Sequence, residues 1–215
     1  MLRWLISITL VSAASLAILI GLAAEFSTRY IVPESIALQP VGCPQPCWDG
    51  VQPGHSRVQD ALLILNANPL VVDLIRNDPN PVFPCELEWK MVTIPIFTGC
   101  MVIRPDQPVD TIILRFEDEQ IRLGDVIDLY GMPVAAELCH RFDFGIRFRN
   151  NVFGTLYFPN HIIIAAYNQE PDQWRLTPTM FVKMIRYTQA DTVPAQAPRW
   201  EGFKSTYAYG TTCSY

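Results

Sequence analysis

Histidine is scarce in this chain: there are three in 215 residues, His55, His140 and His161. A nucleophile such as Ser56 or Ser205 needs a histidine and an acid converging on it, and no serine stands in a Gly-x-Ser-x-Gly elbow. Hydrolase chemistry is therefore not expected. No Lys/Arg block occurs and the formal net charge is −5, which argues against nucleic acid as a partner, because phosphate binding relies on clustered cations. Gly50 and Gly54 lack the Lys-Ser/Thr ending of a phosphate loop. Zinc would call for two close pairs of ligands, and only Cys43 and Cys47 have that spacing. Cys139 and His140 are adjacent, so on a strand they would point to opposite faces. Glu86 with Glu88, and Asp118 with Glu119, are the nearest approach to acid/base pairs; solvated surface accounts for both. The expectation is a protein without catalytic residues, metal or cofactor.

Charge is missing altogether from Trp4 to Ala24, and that absence is informative. Twenty-one residues without a charged side chain make roughly 31 Å of helix, enough to cross a bilayer core. A cleaved signal peptide would need a shorter apolar run, so an uncleaved signal anchor is expected, although Gly21-Leu22-Ala23 resembles a cleavage site. Arg3 precedes the run and Glu25 follows it, which places the N-terminus in the cytoplasm and the body outside, on a single-pass membrane protein. Ala13, Ala17 and Gly21 fall four apart, a stripe of small residues on which another transmembrane helix can pack closely.

Six cysteines, Cys43, Cys47, Cys85, Cys100, Cys139 and Cys213, all follow this segment, as suits disulfides in an oxidising exterior. Their connectivity has fifteen possibilities by simple enumeration and sequence does not choose among them. No lipobox precedes Cys43, whose upstream residues are Gln39-Pro40-Val41-Gly42.

Beyond the anchor (1–24), residues 25–46 carry four prolines and read as an extended stalk. Ser56 with Gln59 forms a capping-box pattern before Val58, Ala61, Leu62 and Leu65, one buried helical face. A short second helix is expected over 70–76. Leu87, Trp89 and Met91 alternate as a strand does, and runs at 97–104 and 109–116 supply two more. The pattern then returns. Arg57-Val58 and Asp60-Ala61-Leu62 align, after a shift of 65 positions (57 to 122), with Arg122-Leu123 and Asp125-Val126-Ile127. Strands are expected at 142–149, 152–158, 161–167 and 179–188, with Asn150-Asn151 and Pro159-Asn160 as turns. The predicted class is α+β: an N-terminal transmembrane helix followed by two helix-then-antiparallel-sheet repeats, at 47–120 and 121–190. An aromatic tail, 191–215, is expected to lie over the body.

The run Leu123-Gly124-Asp125-Val126 with Tyr130-Gly131-Met132-Pro133, followed by antiparallel strands, resembles the repeat unit of the β-lactamase-inhibitor-protein-like fold. The SmpA/OmlA family of small outer-membrane lipoproteins carries a similar signature. The match covers Leu123 to Pro133 well and Ser56 to Pro69 loosely. The resemblance implies a binding protein without catalytic machinery. With a membrane anchor and no lipobox the chain departs from the lipoproteins, so their assembly role is not carried over. The expected function is a membrane-anchored extracytoplasmic accessory subunit that binds another membrane or exported protein. The alternative is a small-ligand or glycan binder using its dense aromatics, Phe142 to Tyr167.

Overall fold

The computed structural model describes residues 38, 43–77, 85–92, 97–103, 107–116, 121–143, 149–168, 175–189 and 193–204, with 139–143, 149–152 and 168 described as backbone only. By its internal contacts the chain divides into Met1–Pro33 and Glu34–Tyr215, and every described residue belongs to the second unit. The Trp4–Ala24 segment, with Ala13, Ala17 and Gly21, lies outside the described residues. Among the described residues no helix is long and apolar enough to cross a membrane.

Asp49 and Gly50 direct the chain into the folded part. Their φ values of 48° and 82° are both positive, the backbone of a tight type I′ hairpin turn, for which Asp-Gly is a preferred pair. Trp48 and Val51 exchange backbone hydrogen bonds of 3.0 and 2.8 Å across this turn, and both side chains are driven into the core. Helix α1, Val58–Ala67, follows. Ser56 does not cap it: its hydroxyl accepts the Gln52 N–H at 2.8 Å and closes the preceding turn, which leaves Arg57 as N-cap. Ala61 and Leu65 are buried, as their spacing predicts.

Residues 70–76 do not form the expected helix. Val71–Arg76 is strand β1, because the β-branched Val71, Val72 and Ile75 find a neighbouring strand to pair with. Strands β2 (Cys85–Met91), β3 (Phe97–Ile103) and β4 (Val109–Phe116) complete the first half. Helix α2, Leu123–Tyr130, buries Leu123, Val126, Ile127 and Tyr130, and the Asp125 carboxylate accepts the Arg122 N–H at 3.1 Å. Then come β5 (Ala135–Asp143), β6 (Arg149–Phe158), a 3-10 turn at Pro159–His161, β7 (Ile162–Asn168) and β8 (Phe181–Thr188). Asn150 and Asn151 are not a turn but sit within β6, opposite Phe142 and Arg141.

The predicted class needs correction. Each helix precedes four strands, yet these strands do not make two helix-then-sheet repeats. They form one eight-stranded antiparallel sheet, in the order β1-β2-β3-β4-β8-β7-β6-β5. Strand β4 pairs with β8 from Thr111–Thr188 to Arg115–Met184, so an edge that each half would otherwise expose is satisfied by the other. A single buried cluster runs through both halves, from Trp48 and Leu87 to Leu138, Ile164 and Tyr187. Periodicity reports which residues face inward but not which strands become neighbours, and this is why the continuity of the sheet was not visible in sequence.

Two features of the core invite a test. Gly99 lies opposite Trp89, whose ring stacks on Trp48 at 5.2 Å. A Cβ at Gly99 would sit 1.9 Å from Trp89 Cε2, so no larger residue fits without moving a fully buried ring. Gly99→Ala is expected to cost about 3 kcal/mol, measured by urea denaturation; a cost below a tenth of that would contradict the packing.

The second feature is a polar tie. The Tyr130 hydroxyl donates to the Leu38 carbonyl at 2.9 Å and lies 2.7 Å from the Tyr187 hydroxyl, an arrangement in which Tyr187 donates to Tyr130. Burial pushes Tyr130 up to about 12 and Tyr187 well above the ordinary phenol value. Both pKa values are raised on folding, so this contribution is complete below pH 10 and is lost as pH climbs from 10 through 12. The Tyr130→Phe, Tyr187→Phe double variant should be less stable than wild type at pH 8 and lose less stability between pH 10 and 12. Parallel alkaline loss in the two proteins would refute the tie.

Candidate functional site

The residues a catalyst would use are dispersed. His55 is exposed in the turn before α1. His161 stands in the 3-10 turn between β6 and β7, whereas His140 pairs with Val152 in β5. That is five residues beyond Ala135, which pairs with Tyr157 close to the turn, so roughly 17 Å of strand separates the two histidine positions. Ser56 is engaged with Gln52. Glu86 pairs with Arg76 at 2.9 Å and Glu88 accepts from Asn77 at 3.3 Å, so both carboxylates brace the β1–β2 pair. Among the described residues no group of three or more His, Cys, Asp or Glu is placed to hold a metal ion.

Among the described residues two disulfides form, Cys43–Cys47 and Cys85–Cys100. The first closes a short loop just before Trp48. The second ties β2 to β3, with its Cα atoms 5.5 Å apart. Cys139 is placed in β5 opposite Phe153, and Cys213 lies outside the described residues.

What remains is a surface. Helices α1 and α2 cover the same face of the sheet, since Ala61, Leu65, Leu123, Val126 and Ile127 all join one cluster with Leu87, Ile112 and Ile185. No described helix covers the opposite face. Cross-strand register lays out its rows: Ile75, Glu88, Cys100, Ile113, Arg186, Ile163 and Tyr157 lie side by side across seven strands. Val72, Lys90, Thr98, Arg115 and Met184 form the next row. Towards β5 this face is closed: Ala197 packs on Ala135, Tyr157 and Ile163, and Tyr157 donates to the Glu137 carboxylate at 2.8 Å.

Phe153, Tyr167 and Phe181 make a further row across β6, β7 and β8, with ring centroids 6.2 and 5.7 Å apart. The Arg122 guanidinium lies 3.7 Å over the Phe181 ring and Lys183 Nζ 5.0 Å from the Tyr167 ring. A sugar stacks on the open face of an aromatic ring. Here the faces are spent on one another and on cations, so the row braces the sheet better than it presents a ligand platform.

The two outer edges differ. At β5 the C-terminal segment covers the start of the strand: Ala136 N–H donates to the Pro198 carbonyl at 3.0 Å, and Trp200 N–H to that of Val134 at 2.9 Å. Trp200 packs against the core, and the Leu176 N–H donates to the Lys204 carbonyl at 3.2 Å. No described residue pairs with the free side of β1. There Leu70 is 46% exposed, Val72 37%, Ile75 51% and Val92 58%. The Val92 N–H donates to the Leu70 carbonyl at 2.9 Å and continues the β1–β2 register, so all four share the helix-free face at one corner of the sheet. Sequence inspection missed this corner, because residues 70–76 looked helical; the β-branched run Val71-Val72 was the available signal.

No protein-family model, curated protein or solved structure matches the chain.

Cys85–Cys100 lies beneath this surface, packed with Ile113, Val102 and Met184. The bond spans a separation of 15 residues, for which removal by Cys85→Ser with Cys100→Ser is expected to cost about 3 kcal/mol. Denaturation of the oxidised wild type against this variant measures it; equal midpoints would show that the bond contributes nothing to the sheet.

Proposed function

We propose that the folded body is a non-catalytic docking module, tethered to the membrane by Trp4–Ala24, that holds another membrane or exported protein as an accessory subunit. The observation that carries this reading is the gathering of Leu70, Val72, Ile75 and Val92 on one corner of the helix-free face. Single exposed apolar residues are ordinary on protein surfaces, whereas adjoining ones beside an unpaired strand mark contact sites. Two disulfides support an oxidising exterior. The Ala13, Ala17 and Gly21 stripe supplies a second contact within the bilayer, where small residues let helix backbones approach.

The full-length protein, extracted in mild detergent, is expected to run on native sizing as a complex larger than its monomer. Val72→Glu with Ile75→Glu should release the monomer, and because both side chains are exposed the melting temperature should stay within about 2 °C. A wild-type monomer, or a double variant of wild-type size, would defeat the proposal.

A further inference from the structure

The helix-free face also carries three cations that no described carboxylate pairs with. Lys90 on β2, Arg115 on β4 and Arg186 on β8 share it, as register dictates: Lys90 pairs with Thr98, Thr98 with Arg115, and Ile113 with Arg186. Arg115 and Arg186 are diagonal neighbours on the two central strands, a spacing of roughly 7–8 Å between positions. Among the described residues no carboxylate pairs with any of the three, although the chain as a whole is acidic at −5. Glu88 and Glu137, the acids nearest by register, are engaged with Asn77 and Tyr157. Arg186 adds an independent sign: its Nε is buried, flanked across the strands by Ile113 and Ile163, and has no hydrogen-bond acceptor. A desolvated guanidinium N–H without an acceptor is costly, and no described carboxylate competes for the remaining guanidinium N–H groups, which can form charge-assisted bonds.

We infer that the docked partner is a protein that lays an acidic segment across Arg115 and Arg186, with apolar residues seated on the Leu70–Val92 corner beside Lys90. The inference rests on the docking role proposed above and specifies the chemistry of the partner. Carboxylates fit better than phosphate-rich polymers, because the cations are few, spread over three strands and interleaved with Thr98, Ile113 and Met184, which suits an extended polypeptide with alternating side chains.

The test uses full-length protein in detergent and a poly-L-glutamate probe, with a heparin octasaccharide and phosphatidylglycerol vesicles as separate arms. Poly-L-glutamate should bind at low salt and be released by raised salt. Arg115→Gln with Arg186→Gln should weaken it at least tenfold, whereas Arg57→Gln with Arg175→Gln, an equal charge change at exposed positions elsewhere, should weaken it less than twofold. Arg115→Lys with Arg186→Lys should recover part of the binding, which separates charge from misfolding. Absence of poly-L-glutamate binding, equal loss in the control, or tighter binding of heparin or vesicles through the same arginines would overturn the inference. Native sizing separates the two levels. A complex that survives Arg115→Gln with Arg186→Gln but falls apart with Val72→Glu and Ile75→Glu keeps the docking role and removes the acidic partner. A complex indifferent to both removes the docking role itself.

Discussion

Five cross-strand pairs, from Thr111–Thr188 to Arg115–Met184, join β4 to β8, and most of the molecule's organisation depends on that join. Strands β4 and β8 are each the last of four that follow a helix, so pairing them turns two groups of strands into one surface. On one side it aligns Ile112 and Leu114 with Tyr187 and Ile185, and both helices settle on a continuous core. On the other it sets Ile113 beside Arg186 and Arg115 beside Met184. The arrangement of the helix-free face is thus a consequence of the same backbone bonds that complete the core.

The N-terminal entry is bound into this arrangement by several short links. Trp48 stacks on Trp89 and meets Phe97 edge-on, while Asn68 at the end of α1 donates to the Asp49 carboxylate at 2.8 Å. Leu38 is buried, with its carbonyl held by Tyr130. Asn160, at the turn between β6 and β7, donates to the Gln45 side chain at 3.1 Å. Residues that compositionally read as a proline-rich spacer therefore meet the body at Leu38 and Gln45.

Legibility in sequence follows the physics of each element. Alternation in Leu87, Trp89 and Met91 is a strong signal because one face of β2 is buried and the other is not, and the strand is found where it was expected. Helix α2 was equally legible from Leu123, Val126, Ile127 and Tyr130. Strand β1 was not: its register shifts between Val72 and Ile75, so its inward residues, Val71 and Leu74, are three apart and imitate a helical step. Asn150 and Asn151 have turn-forming side chains, but their strand partners overrule that preference. The candidate surface was the least legible part. Arg115 and Arg186 are far apart in the chain, and only the β4–β8 register makes them neighbours. The pairing of Cys85 with Cys100 depends on the β2–β3 register, which shifts between Cys85 and Leu87.

The irregularity in β1 has a further effect. Asp73 takes φ of +53° at the shift in register, which bends the outermost strand and interrupts its row of free backbone donors and acceptors. A straight apolar border on so broad a sheet would recruit strand after strand from other molecules, the route to fibrils. A charged, kinked residue midway along it stops that growth, while the side chains of Val72 and Ile75 remain available on the flat of the sheet. Exposed apolar side chains thus stand beside an edge that is poorly shaped for further strand addition.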